Sequence, residues 1–266
     1  MTWGLVRGNT VGWLSGEVTG ALLVGLTLLG AFVRWERRTA DPMLPLALFR
    51  SRGFTAANVV SFFMYAGLFG ALFLMAQLLQ TALGYSPLQA GLRLLPWTLP
   101  PMFIAPLAGA LADRYGNRPF MVLGLALQAA GYAWVASIAA PGMDYTWLGV
   151  AFAVAGVGIS FCFPAVANAV MGSVAMEEAG AASGTNSAMR ELGGVFGVAV
   201  LAAVFARYGS YGSGREFIDG FNAALWVGVG LSALGIVAGL LTAARARTGE
   251  APATPEPALA VSEAAQ

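Results

Sequence analysis

Charge is what this sequence of 266 residues has least of. Only 10% of its residues are charged, 58% are hydrophobic, and the mean hydropathy is +0.72. A soluble domain carries roughly 25% charged residues. A chain this apolar could not cover a water-facing surface, so an integral membrane protein is expected. Lysine is absent, so all 14 basic residues are arginine, and histidine is absent as well. The chain therefore lacks the commonest metal ligand and the usual base at neutral pH. Its one cysteine, Cys162, excludes an intramolecular disulfide and a cysteine cluster for zinc or iron–sulfur. Lying in an apolar run, Cys162 is most simply a small packing residue. No paired intramembrane carboxylates and no phosphate loop occur either, so the sequence predicts no enzyme, no catalytic residue, no metal site and no bound cofactor. A formal net charge of +1 says little as a sum. The arginines follow membrane sidedness and not a groove, so no nucleic-acid partner is expected. The first residues carry Trp3, Arg7 and Asn9 without an apolar core, unlike a cleaved signal peptide.

Long apolar runs are what the chain has in abundance. A span needs ~20 mostly apolar residues to cross a hydrocarbon core. Seven runs qualify: about Ser15 to Val33, Phe54 to Leu83, Leu88 to Ala112, Phe120 to Ala139, Thr146 to Val174, Gly184 to Ala206 and Phe221 to Ala244. The expected fold is thus an all-α integral membrane protein with seven transmembrane helices. Ser15 can cap the first helix. Pro96, Pro100, Pro101 and Pro106 break up the third run, and Pro164 can kink the fifth. Between the first two spans, Pro42 to Arg50 is too short to cross; its apolar residues between arginines suit a segment lying in the interface. Residues 251–266, rich in alanine, proline and glutamate, read as a disordered tail.

Three charges and two glycines interrupt the apolar pattern at Gly109-Ala110-Leu111-Ala112-Asp113-Arg114-Tyr115-Gly116-Asn117-Arg118-Pro119. Gly109 lets two helices approach, and Gly116 supplies the φ > 0 that a tight reversal needs. Asp113, Arg114 and Arg118 can pair with one another or hold a helix end through its dipole. Placing this stretch in the cytoplasm puts Arg34, Arg37, Arg38, Arg50, Arg52, Arg114, Arg118, Arg245 and Arg247 on that side, against Arg7, Arg207 and Arg215 on the other. That asymmetry satisfies the positive-inside rule. It predicts a multi-pass plasma-membrane protein with its N-terminus outside and its C-terminus cytoplasmic.

The stretch resembles the loop motif of the major facilitator superfamily, G-x-L-A-D-R-x-G-x-R/K, at every position. Further stretches are similar to the fourteen-helix drug:proton antiporter branch of that superfamily. They are Arg7-Gly8-Asn9 with Gly12-Trp13, Phe32 to Arg38, Pro42-Met43-Leu44-Pro45 with Leu48-Phe49-Arg50, and Leu79-Gln80 with Gly84-Tyr85-Ser86-Pro87. Ala90-Gly91, Leu95-Pro96 and Gly180 to Asn186 with Arg190 and Gly193-Gly194 complete the set. On this resemblance the first span corresponds to the eighth helix of the branch and the other six to its C-terminal six-helix bundle. Residues 1–14 then form the remnant of an extracellular loop, and 15–53 one central helix with its cytoplasmic interfacial segment. Residues 54–244 form the six-helix bundle and 245–266 the cytoplasmic tail. The N-terminal bundle, with its antiporter motif and its acidic residues, has no counterpart here. Truncation, a split gene or a mispredicted start is therefore expected, not a natural seven-helix transporter.

The resemblance implies a transporter in the lipid bilayer, driving proton-coupled efflux of drugs or other small molecules, with the proton gradient in place of any cofactor. The alternative is a non-transporting membrane remnant, or the assembly partner of a separately encoded N-terminal half. Gly109, Asp113, Arg114, Gly116 and Arg118 are the candidate gate. An ionisable residue within a span is a functional candidate. Arg93 could attract an anionic substrate or a carboxylate of the missing half, or snorkel outward. Arg190 and Glu191, adjacent on one helix, need different partners and are read as gate or interface residues. Asn58, Gln77, Gln80 and Asn168 are polar pathway candidates. Gly156, Gly158, Gly193 and Gly197 have the spacing of close helix packing in lipid, with Pro164 as a kink. Gly235 and Gly239 share that spacing.

Overall fold

The computed structural model describes residues 12, 15–39 and 46–242. Nine α-helices follow one another without a strand among these residues. They are α1 (Gly16–Glu36), α2 (Arg52–Gln77), α3 (Pro87–Arg93), α4 (Leu95–Thr98), α5 (Pro100–Tyr115), α6 (Asn117–Ile138), α7 (Tyr145–Met171), α8 (Ala179–Tyr208) and α9 (Gly214–Leu240). A π-helical turn, Leu78–Ala82, extends α2. Among the described residues, seven helical stretches are long and apolar enough to cross a membrane. Arg7, Pro42 to Pro45, Arg245, Arg247 and the tail lie outside the described residues.

Local chemistry sets the element boundaries. Ser15, Ser51, Ser86 and Ser213 each accept a backbone N–H from the first turn of the helix that follows. Each side chain thereby satisfies one of the unpaired donors at a helix N-terminus. At Ser86 the bond is reciprocated by Gln89, and Pro87 stands where a missing N–H costs nothing. The third apolar run is broken into α3, α4 and α5, with Pro96 in the first turn of α4 and Pro100-Pro101 opening α5. Pro164 lies within α7, which stays continuous through it.

Several expected boundaries move. The Gly109–Pro119 stretch is not an extended loop: α5 runs through Tyr115, α6 begins at Asn117, and only Gly116 lies between them, at φ 92°. A side chain at this backbone angle would be strained, which is why one glycine suffices for the reversal. Helix α8 begins at Ala179 and α9 at Gly214, each earlier than hydropathy places them; Ala182 and Phe217 in these first turns are already part of the core. Helix α9 ends at Leu240.

Helices α2, α6, α7 and α9 form the centre of the bundle. Helix α8 flanks it on α2 and α9, and α5 flanks it on α7. Backbone approach sets these contacts. A Cβ on Gly193 would collide with the carbonyl of Phe62, and one on Gly197 with that of Ala66. Gly158 and Gly124 face each other across α6 and α7, where an added Cβ on Gly158 would come 2.5 Å from the Gly124 carbonyl. Gly156 leaves room for the backbone of Trp97. Gly109 is different: a Cβ there would meet Pro164 at 3.5 Å, an ordinary contact, so this glycine is not required by close packing. The 3-10 helix Leu46–Arg50 tucks Leu48 under the bundle, with Phe49 edge-on to Phe54.

Candidate functional site

Polar groups are scarce within the spans, and most can be followed to a partner; the Trp97 indole N–H, the Tyr132 hydroxyl and Asn222 Oδ1 are buried without one. At the end of the bundle that carries Asp113, Asn186 of α8 donates through Nδ2 to Asn58 Oδ1 at 3.2 Å and to Ser61 Oγ at 2.6 Å. Asn58 donates in turn to the Phe54 carbonyl at 2.9 Å. All three side chains are buried. Asn58 therefore clasps α2 to α8 and does not line an open path. Deeper in the bundle, Gln128 of α6 donates to the Met64 carbonyl and to Ser232 Oγ, each at 3.3 Å. Gly67 makes this possible, since a Cβ there would stand 2.6 Å from Gln128 Nε2.

The other amides also hold helices or loops. Asn168, near the end of α7, donates through Nδ2 to Asp113 Oδ1 at 2.7 Å. The Asp113 carboxylate is thus engaged by a neighbouring helix of its own bundle, not by Arg114 or Arg118, and Asn168 belongs to this end and not to a mid-membrane path. Arg114 lies over the ring of Tyr115. Gln77 accepts a hydrogen bond from the Tyr211 hydroxyl, tying α2 to the α8–α9 connection. Gln80 donates to the Ala76 carbonyl of its own helix at 3.2 Å and is exposed. Arg93 stacks on Tyr85 at 3.7 Å and lies near Tyr145 at 5.3 Å, while the Tyr145 hydroxyl donates to the Arg93 carbonyl at 2.7 Å. This arginine is therefore held within an aromatic cluster at the end of the bundle opposite Asp113.

One flank of the bundle remains open. There a cavity of about 250 Å³ is walled by Leu68, Phe69 and Leu72 of α2, Trp97 and Thr98 of α4, Pro101 of α5 and Ile159 of α7. Phe69 and Phe163 are 41% and 39% exposed. Arg190 projects from α8 beside them, its guanidinium 5.3 Å from the Tyr65 ring and 5.5 Å from that of Phe163. Ser183, Gly184, Ser187 and Glu191 are exposed on the same stretch of α8. A face made of serine, glycine and glutamate is poorly matched to lipid. Sequence reasoning missed Tyr65, Phe69, Trp97, Phe163, Asn186 and Gln128. Asn186 and Gln128 carried the same signal as Asn58, an amide within an apolar run, and Tyr65 and Phe69 lie four residues apart on one helix face.

Residues 57–265 match the sequence profile of the Major Facilitator Superfamily. The chain belongs to the major facilitator superfamily. It is therefore a multi-pass membrane protein of a family that moves small molecules across the bilayer, not an enzyme. The chain is 30% identical over 208 residues to the multidrug resistance protein Stp of Mycobacterium tuberculosis, covering 78% of this chain and 38% of that protein. It is 31% identical to the methylenomycin A resistance protein of Streptomyces coelicolor, covering 77% of this chain and 43% of that one. To the multidrug transporter MdtP of Bacillus subtilis it is 28% identical, covering 76% and 38% respectively. The chain thus spans about two fifths of the length of the curated relatives it matches.

Proposed function

We propose that this chain supplies one wall of a drug-efflux pathway, the C-terminal bundle of a proton-coupled transporter. The observation that carries the reading is the open flank, where an aromatic cavity lies beside a small and polar face of α8. Such a face, on a helix apolar enough to span, calls for water, substrate or another protein segment and not for acyl chains. Facing it, an N-terminal bundle would complete the cavity, and rocking of the two bundles would open it to either side. The names of the relatives point to export of drugs or antibiotics. The arginine asymmetry supports an orientation with Asp113 and the tail in the cytoplasm. In that orientation Gly109, Asp113, Arg114, Gly116 and Arg118 form the cytoplasmic gate, steadied by the bond from Asn168.

Reconstitution tests this. The chain in vesicles without a partner should give no proton-dependent efflux, since it has one cavity wall and no mid-membrane carboxylate opposite it. Strong efflux abolished by an uncoupler would overturn the one-wall reading. Cysteine labelling of intact cells should find a cysteine at Tyr115, which is 61% exposed beside Asn117, protected and one at Ser213 accessible; the reverse pattern would overturn the orientation.

A further inference from the structure

The open flank carries a cation that no carboxylate contacts among the described residues. Arg190 lies eleven residues into α8, about 16 Å along a helix that rises 1.5 Å per residue and one turn beyond Asn186. Its guanidinium rests against the rings of Tyr65 and Phe163, and its nearest hydrogen-bond partner is Ser187 Oγ at 3.5 Å. No carboxylate contacts it among the described residues. Glu191 follows it on the helix, about 100° away, and is exposed. The aromatic contacts hold the planar cation in place while leaving most of its donors unused.

The same rings lead from the charge to the cavity. Tyr65 and Phe69 lie 5.6 Å apart on one face of α2, Tyr65 and Phe163 lie 6.5 Å apart, and Phe69 itself walls the cavity with Trp97. Cation and cavity are therefore one aromatic side chain apart. The flank presents a flat apolar bed at one end and a bidentate carboxylate receptor at the other. An organic cation bound against Arg190 would meet its guanidinium as a like charge.

We propose that this bundle selects amphipathic aromatic anions, with the ring system in the Phe69–Trp97 cavity and the carboxylate on Arg190. This deepens the efflux reading and rests on the open flank being the substrate path. The whole chain in phosphatidylcholine nanodiscs would be titrated with three probes sharing one ring body: naphthylacetate, naphthylethanol and naphthylethylamine, with empty discs as the blank. The wild-type chain should bind the acetate about tenfold more tightly than the amine, with the alcohol between them, as a charge-assisted hydrogen bond implies. Arg190→Gln should level the three while keeping the alcohol's affinity. Arg190→Lys should preserve their order, and Phe69→Ala should weaken all three alike. Equal binding of the three by the wild-type chain, or preference for the amine, would overturn the anion assignment and leave the cavity standing. Failure of all three to bind saturably would overturn the proposal together with the substrate-path reading beneath it.

Discussion

Helices α1 and α2 are both long and apolar enough to span a membrane, yet 6% of an 18-residue apolar stretch of the one and 50% of that of the other is buried within the structure. The difference lies in what can approach the backbone. Along α1, Gly16, Gly20 and Gly30 have nothing within 4 Å of the position a Cβ would take. Along the seam of α2 and α8, by contrast, Gly70, Gly193 and Gly197 leave no room for one. Asn58, Ser61 and Asn186 close that seam with hydrogen bonds. Apolar content drives a helix into lipid but gives it no reason to prefer another helix over an acyl chain. Close backbone contact and satisfied polar groups supply that reason.

The largest effect should come from closing the seam's narrowest point. Gly197→Val would drive a branched side chain into the Ala66 carbonyl, costing about 3 kcal/mol or more. Denaturant titration in micelles would measure it, and a change below about 1 kcal/mol would mean the two helices can slide apart freely. Next comes Asn186→Leu, which removes the donor to Asn58 and Ser61. The expected loss is about 1–2 kcal/mol by the same titration, the range for hydrogen bonds between helices in lipid. An unchanged midpoint would leave backbone packing as the sole source of the seam's stability.

A smaller effect belongs to a purely local contact. Asp144 caps α7, accepting from the backbone N–H of Thr146 at 2.9 Å and from its hydroxyl at 3.0 Å. These two bonds hold its carboxyl below the ordinary carboxylate range. A lowered folded-state pKa stabilises above the unfolded value and is lost as pH falls through the folded value. Asp144→Ala should therefore lower the melting temperature slightly at neutral pH, and the difference should vanish in acid below that range. A difference that persists there would point to the hydrogen bonds of the neutral acid instead of its charge. Smallest of all, Gly20→Val in α1 should shift stability within about 0.5 kcal/mol. A loss comparable to that of Gly197→Val would erase the contrast between the two helices.

The Asp113 stretch shows how far residues can be read before they are folded. Its turn was legible, because an isolated glycine among charges between two apolar runs has few other uses. Its partner was not. Asp113 and Asn168 are 55 residues apart, and nothing in either neighbourhood names the other. Arg114 and Arg118 were the natural expectation from proximity in sequence, but proximity along a helix does not aim side chains at one another. The amides repeat the lesson: Asn58, Gln77 and Asn168 stand out as polar residues near membrane-spanning runs, and each is occupied in joining its own bundle.

Sequence alone determined that the chain lives in a membrane, how many times it can cross and where its helices turn. Those properties depend on the thickness of the hydrocarbon core, on the cost of burying charge and on the φ angles open to glycine, all of which act on a few neighbouring residues. Tertiary structure alone decided which polar groups are consumed in holding helices together and which face the open flank. Asn186 and Arg190 lie on the same helix four residues apart, one buried against α2 and the other beside the cavity. That distinction comes from the direction in which α8 leans on α2, set by Gly193 and Gly197, whose missing side chains let two backbones touch.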